Sequence, residues 1–261
     1  MRRFIALLCL CLWITPPLLA QERTADGVSK ADIVRLLGRL FESEPVRADL
    51  VRLGFKGENL ELAVGQVQRM MNDPKIAGYI ADQVLGFQKH PDIVVTGAQG
   101  LLWQLIDRGI THVPLRDLRY YHLVAQTVLN AMPIRECGLA VKDQLSPREL
   151  SDATSRVAAK LNTPALREYY RIQIDAARFG TSRAPRSLSA SAQARIEEIV
   201  FKALVTQIAA QPDSQQIMAA FGDLRRASNR HACAAGRLFN AAVLSLEGRD
   251  LRDALILIST P

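Results

Sequence analysis

The chain has little with which to do conspicuous chemistry. Four Cys among 261 residues are too few for a disulfide-dense scaffold. The four His (His90, His112, His122 and His231) fall in no HExxH arrangement, and no CxxC occurs, so no metal ion is expected. His231 stands two residues from Cys233, and on a helix that spacing points their side chains apart. There is no GxGxxG, no phosphate loop ending in Gly-Lys-Ser/Thr, and no GxSxG, which leaves no cofactor to expect and no nucleophile elbow. Adjacent carboxylates such as Glu197-Glu198 do not face each other on a helix, although an acid pair from distant positions stays open. Fifteen Gly and twelve Pro exclude a collagen-like or low-complexity chain. Hairpin dipeptides between alternating segments are absent, since Asp26-Gly27 lies in the N-terminal tail. No repeat of fixed period is found.

What is there divides sharply. Arg2 and Arg3 precede an uncharged, almost wholly apolar stretch from Phe4 to Leu19, broken by Pro16-Pro17 and followed by Ala20. This has the form of a secretory signal peptide over residues 1–20, with an uncleaved anchor as the alternative. Residues 21–28 read as a flexible tail, and residues 29–261 as the folded domain, with a possible subdomain boundary in the loop 180–191. After cleavage no stable membrane span is expected. Removing twenty residues from 261 leaves 241, and losing Arg2 and Arg3 takes the net charge from +7 to +5. That surplus lies wholly beyond Ser146, in residues such as Arg225, Arg226, Arg230 and Arg237. It is too modest to suggest nucleic acid for an exported protein. Cleavage would also remove Cys9 and Cys11, leaving Cys137 and Cys233 as one candidate disulfide in an oxidising compartment.

Elsewhere the apolar spacing is helical, and it predicts an all-α bundle of about eleven or twelve short-to-medium helices. Ser29 caps the first. Ser146-Pro147-Arg148-Glu149 is the clearest start signal, a capping box with Pro at the first helical position. Thr163-Pro164 resembles it, and Asp213 with Gln216 reads as a further box. Ile93–Ile110 is ambiguous, since its β-branched beginning suits a strand, but the later leucines favour helix.

Two polar-aromatic clusters stand out. Arg116, Arg119, Tyr120, Tyr121 and His122 share one predicted helix, and Arg167, Glu168, Tyr169, Tyr170 and Arg171 another. In each Tyr pair one ring should pack inward and its neighbour face outward. Because Arg and Tyr are favoured at interface hot spots, Arg116, Arg119, Tyr120, Tyr169 and Arg171 are the candidate partner-binding residues. The plainer possibility is that the Tyr rings cover the core edge and the Arg residues pair with Asp117 and Glu168. His122 lies on or beside an apolar stripe, as a polar core residue or a site.

These readings lead to an exported all-α protein of the bacterial envelope, periplasmic or secreted. Its expected role is non-catalytic: binding an envelope protein partner, as an inhibitor, immunity factor or assembly accessory would. An envelope hydrolase acting on cell wall or lipid is the alternative, and a carrier of an apolar ligand is the second. The sequence does not set the oligomeric state.

Overall fold

Local capping chemistry sets where several of the helices begin. The computed structural model describes residues 29–40, 44–89 and 98–260. The expected signal peptide, the tail 21–28 and the β-branched stretch 93–96 lie outside them. Ser29 Oγ accepts from the Asp32 N–H at 3.2 Å, and the Asp32 carboxylate accepts from the Ser29 N–H at 3.3 Å. Ser146 and Glu149 make the same reciprocal pair, as their spacing predicts. Asn162, rather than Thr163, caps the helix at 163, with Oδ1 accepting from the Ala165 N–H. The expected box at Asp213 does not form. Its carboxylate instead lies 3.5 Å from His231 and 3.9 Å from Arg230, so side chains of the next helix compete for it.

Thirteen helices result among the described residues, slightly more than the expected eleven or twelve. They are α1 (Lys30–Leu40), α2 (Glu44–Arg52), α3 (Gly57–Asn72), α4 (Pro74–Lys89), α5 (Ala98–Ile110), α6 (Leu115–Ala131) and α7 (Ile134–Val141). There follow α8 (Pro147–Ala158), α9 (Thr163–Gly180), α10 (Ala190–Ala209), α11 (Ser214–Gly222), α12 (Asn229–Leu244) and α13 (Gly248–Ser259). No strand occurs among the described residues. Gly248, at φ 55°, turns the chain into α13. No described helix is long and apolar enough to cross a membrane.

Two helices organise the bundle. α9 packs against α3, α4, α5 and α6, and α12 packs against α6, α7, α10, α11 and α13. Each makes one unusually close crossing, with a glycine on both sides. A Cβ on Gly109 of α5 would overlap the Ala176 carbonyl, and one on Gly180 of α9 would overlap the Leu105 carbonyl. At the second crossing, Gly138 of α7 lies against the Asn229 backbone, and Gly236 of α12 lies against Val141. The Cys137–Cys233 disulfide locks that same α7–α12 contact, with the Cα atoms 5.2 Å apart. It links positions 96 residues apart, and closing a loop of that size stabilises by about 4–5 kcal/mol in the chain-entropy model.

The segment between α9 and α10 is pinned by hydrogen bonds. Arg186 N–H donates to Thr111 Oγ1 at 2.9 Å, the Ala184 carbonyl lies 2.7 Å from His112 Nε2, and Thr260 Oγ1 donates to the Arg186 carbonyl at 3.1 Å. It thereby joins the α5–α6 turn to the end of α13. The main core draws on helices from α1 to α13, and a smaller one gathers Leu204, Ile208, Ile217, Ala220, Ala235 and Ala242 between α10, α11 and α12.

Candidate functional site

The fold brings the two polar-aromatic clusters together, because α6 packs on α9. Arg171 of α9 is the hub. Its guanidinium reaches Asp117 of α6 and Glu168 and Asp175 of its own helix, each at 2.8 Å. Asp117 also accepts from Arg116 Nε at 3.1 Å. Two turns on, Arg178 donates to Asp73 at 2.7 Å, and Asp73 caps α4 by accepting from the Lys75 and Ile76 N–H groups. Burial pushes the Asp117 carboxyl up, but hydrogen bonds and attraction from Arg171 and Arg116 outweigh it and hold the group below the usual carboxylate range. The Arg171 guanidinium is in turn held more firmly protonated by Glu168 and Asp117. This is a set of mutually satisfied charges, not a row of free donors.

The tyrosines are placed unequally. Tyr121 is buried while Tyr120 is half-buried, its hydroxyl donating to the Ala165 carbonyl at 3.3 Å. In the other pair both rings are buried, which corrects the expectation that Tyr169 faces outward. The cause is the number of neighbours around α9: a helix covered by four others has no outward side for either ring. Tyr169 stacks on Tyr121 with centroids 5.4 Å apart. Of the five candidate partner-binding residues, Arg116 and Arg119 are exposed, Tyr120 and Arg171 half-buried, and Tyr169 is core.

His122 is a core residue at 1% exposure, its Nε2 2.9 Å from Ser259 Oγ of α13. Its Nδ1 is buried without a hydrogen-bond partner. That asymmetry chooses the tautomer. A proton on Nδ1 would be a buried donor with no acceptor, whereas a proton on Nε2 can be given to Ser259. Ser259 is thus a hydrogen-bond acceptor for the ring, the reverse of what a nucleophile activated by a base requires. Burial lowers the His122 pKa to about 3, so the ring is neutral over the physiological range.

Asp107 of α5 is a carboxyl with a raised pKa that the spacing of residues does not reveal. It is half-buried, and burial alone raises its pKa to about 7. No charged neighbour contributes to that shift, so it is not one member of a coupled acid pair. Among the described residues no cluster of three His, Cys, Asp or Glu side chains could hold a metal ion.

A site of a different kind lies between α10, α11, α12 and α13. Phe201 and Leu204 of α10, Met218 and Phe221 of α11, Phe239 of α12 and Leu257 of α13 are among the residues around an apolar groove of about 340 Å³. Val200 and Ile258 complete its apolar lining, and Glu197 is the single charged lining residue. Phe201 is 59% exposed and Met218 37%, so the groove opens to solvent. Its sequence signal is in α10. Ile196, Val200, Leu204 and Ile208 form the buried stripe, yet Phe201 adds a large apolar side chain outside it. An amphipathic surface helix has one apolar stripe, and α10 exceeds that.

Comparison with protein-family models, with curated proteins and with solved structures finds no match for this chain.

Proposed function

We infer that the protein is a non-catalytic binding protein, and that its binding site is the α10–α13 groove. The observation that carries the reading is the solvent-open position of Phe201 and Met218 in a lining that is otherwise apolar. Contiguous exposed apolar surface is costly to maintain in water and marks interaction sites. At about 340 Å³ the groove has the size of a small-molecule site, and it is the exposure of Phe201 and Met218 at its mouth that favours a protein partner over a carried apolar molecule. The buried, neutral His122 and the unpaired shift of Asp107 lend no support to a hydrolase with these groups as an acid–base couple.

The place of action is the bacterial envelope, periplasmic or secreted. The Arg2-Arg3 and Phe4–Leu19 pattern supports export, and a disulfide suits an oxidising compartment. The partner would make this an inhibitor, an immunity factor or an assembly accessory.

The test is affinity capture from envelope extract with the mature protein and with a Phe201→Glu, Met218→Glu double variant of unchanged thermal stability. Captured proteins that disappear with the variant support the reading; an unchanged set of proteins overturns it.

A further inference from the structure

We propose that the link between α9 and α10 is an acid-released latch: His112 senses the proton, and Arg186 is the residue it lets go. The device is independent of what the groove binds.

The link, residues 181–189, is the longest connection between helices among the described residues. Most of it is exposed, and bonds to the α5–α6 turn and to the end of α13 fix its course. His112, half-buried in that turn, uses both ring nitrogens on it. Nε2 lies 2.7 Å from the Ala184 carbonyl, and Nδ1 lies 3.3 Å from Arg186 Nε. A carbonyl only accepts and a guanidinium only donates, so the two contacts fix the ring: the proton is on Nε2, and Nδ1 is bare. That is the neutral imidazole. A second proton would go to Nδ1. It would remove the acceptor for Arg186 and set two cations against each other at hydrogen-bond distance.

The surrounding charges do not offset that repulsion. The link contains Arg183 and Arg186 but no acidic residue. Arg183 lies over the Phe179 ring, 4.9 Å from its centroid, and that ring in turn stands 6.2 Å from the His112 ring. Charged groups on the elements around the turn are engaged elsewhere. Arg108 of α5 donates to Tyr79, Arg116 of α6 to Asp117 and Arg178 of α9 to Asp73, while Asp253 of α13 accepts from Arg195. Asp107 of α5 has no charged neighbour contributing to its pKa.

Histidine is the side chain that gains its charge between about pH 8 and 5. The latch therefore holds at neutral pH and opens as the pH falls. The Arg186 amide on Thr111 and its carbonyl on Thr260 belong to the same residue, so they are released with its side chain. Opening unties the α5–α6 turn from the end of α13. The Cys137–Cys233 disulfide and the common core keep the helices themselves in place.

Solvent exchange of the Arg186 amide, followed by NMR at about pH 7.5 and about pH 5 and corrected for the intrinsic pH dependence of exchange, tests the latch. Protection should fall about tenfold at the lower pH, as for the loss of a hydrogen bond to a charged group. Arg186→Met removes the cation that the imidazolium repels, and His112→Gln keeps an N–H for the Ala184 carbonyl but takes no proton. Each variant should show the same protection at both pH values, whatever its level at neutral pH. Equal protection of the wild type at the two pH values overturns the proposal, as does a fall that persists in either variant. The amide of Ile172, buried in α9, controls for global unfolding, and a parallel loss there also overturns the latch.

Discussion

The α6–α9 face and the α10–α13 groove differ in how completely each satisfies itself. On the first, Arg171 is shared among Asp117, Glu168 and Asp175, and Tyr169 is stacked out of sight on Tyr121. On the second, Phe201 and Met218 stand in water with one carboxylate beside them. On the first face Arg171, Tyr169 and Tyr120 are engaged in internal contacts, while Arg116 and Arg119 stay exposed. The second has no conspicuous motif, yet its apolar surface lacks a cover within the described residues. Composition draws attention to the first face; what separates the two is whether each group has found its partner inside the fold.

The comparison is broken most severely at Tyr169. If the ring is core, Tyr169→Ala costs about 3–5 kcal/mol, as for other large buried aromatics, and the midpoint of denaturant unfolding falls accordingly. A midpoint near wild type would return Tyr169 to the surface. Asp117→Asn comes next. It removes the charge that α6 offers Arg171 and should cost about 1.5–3 kcal/mol, as for a hydrogen bond to a charged group. A negligible change would mean that Glu168 and Asp175 suffice.

A third prediction uses two groups of opposite sign. The unfolded chain protonates His122 near 6.5 and the fold only near 3, so the contribution of His122 is full above 6.5 and declines as pH falls towards 3. Asp107 keeps its proton up to about 7 in the fold but only to 3.8 when unfolded, so its contribution is full below 3.8 and lost as pH rises through 7. Between these limits the two slopes oppose each other. His122→Gln should leave stability falling by about 1.4 kcal/mol per unit as pH rises from about 4 to 6.5, and Asp107→Asn should leave the reverse slope. Urea midpoints across that range check it, and identical slopes in both variants would refute it. The smallest effect belongs to Arg119, exposed on α6: Arg119→Ala should stay within about 0.5 kcal/mol.

Much of the fold is legible in the chain because helix signals are local. Ser146, Pro147 and Glu149 need only their own backbone to form the box, and the apolar spacing identifies buried faces before any packing is known. The pairing of Cys137 with Cys233 follows from there being two thiols once the expected signal is removed. The misreadings occur where a residue's fate depends on another helix. Asp213 forgoes its own N-terminus for His231, and Tyr169 is buried because α9 is surrounded. The burial that shifts Asp107 has no local signature at all. The groove is an intermediate case, since Phe201 beside an already complete stripe on α10 is visible in the sequence but acquires meaning only with Met218 and Phe221 opposite.

Site-specific photo-crosslinking tests the contrast between the faces most directly. A photoreactive amino acid would be placed at Phe201 in one variant and at Arg119 in another, both exposed positions, and irradiated in envelope extract. The account predicts a discrete crosslinked protein from position 201 and none from position 119. A crosslink from position 119 with none from 201 would contradict it and restore the Arg/Tyr face as the place where a partner binds.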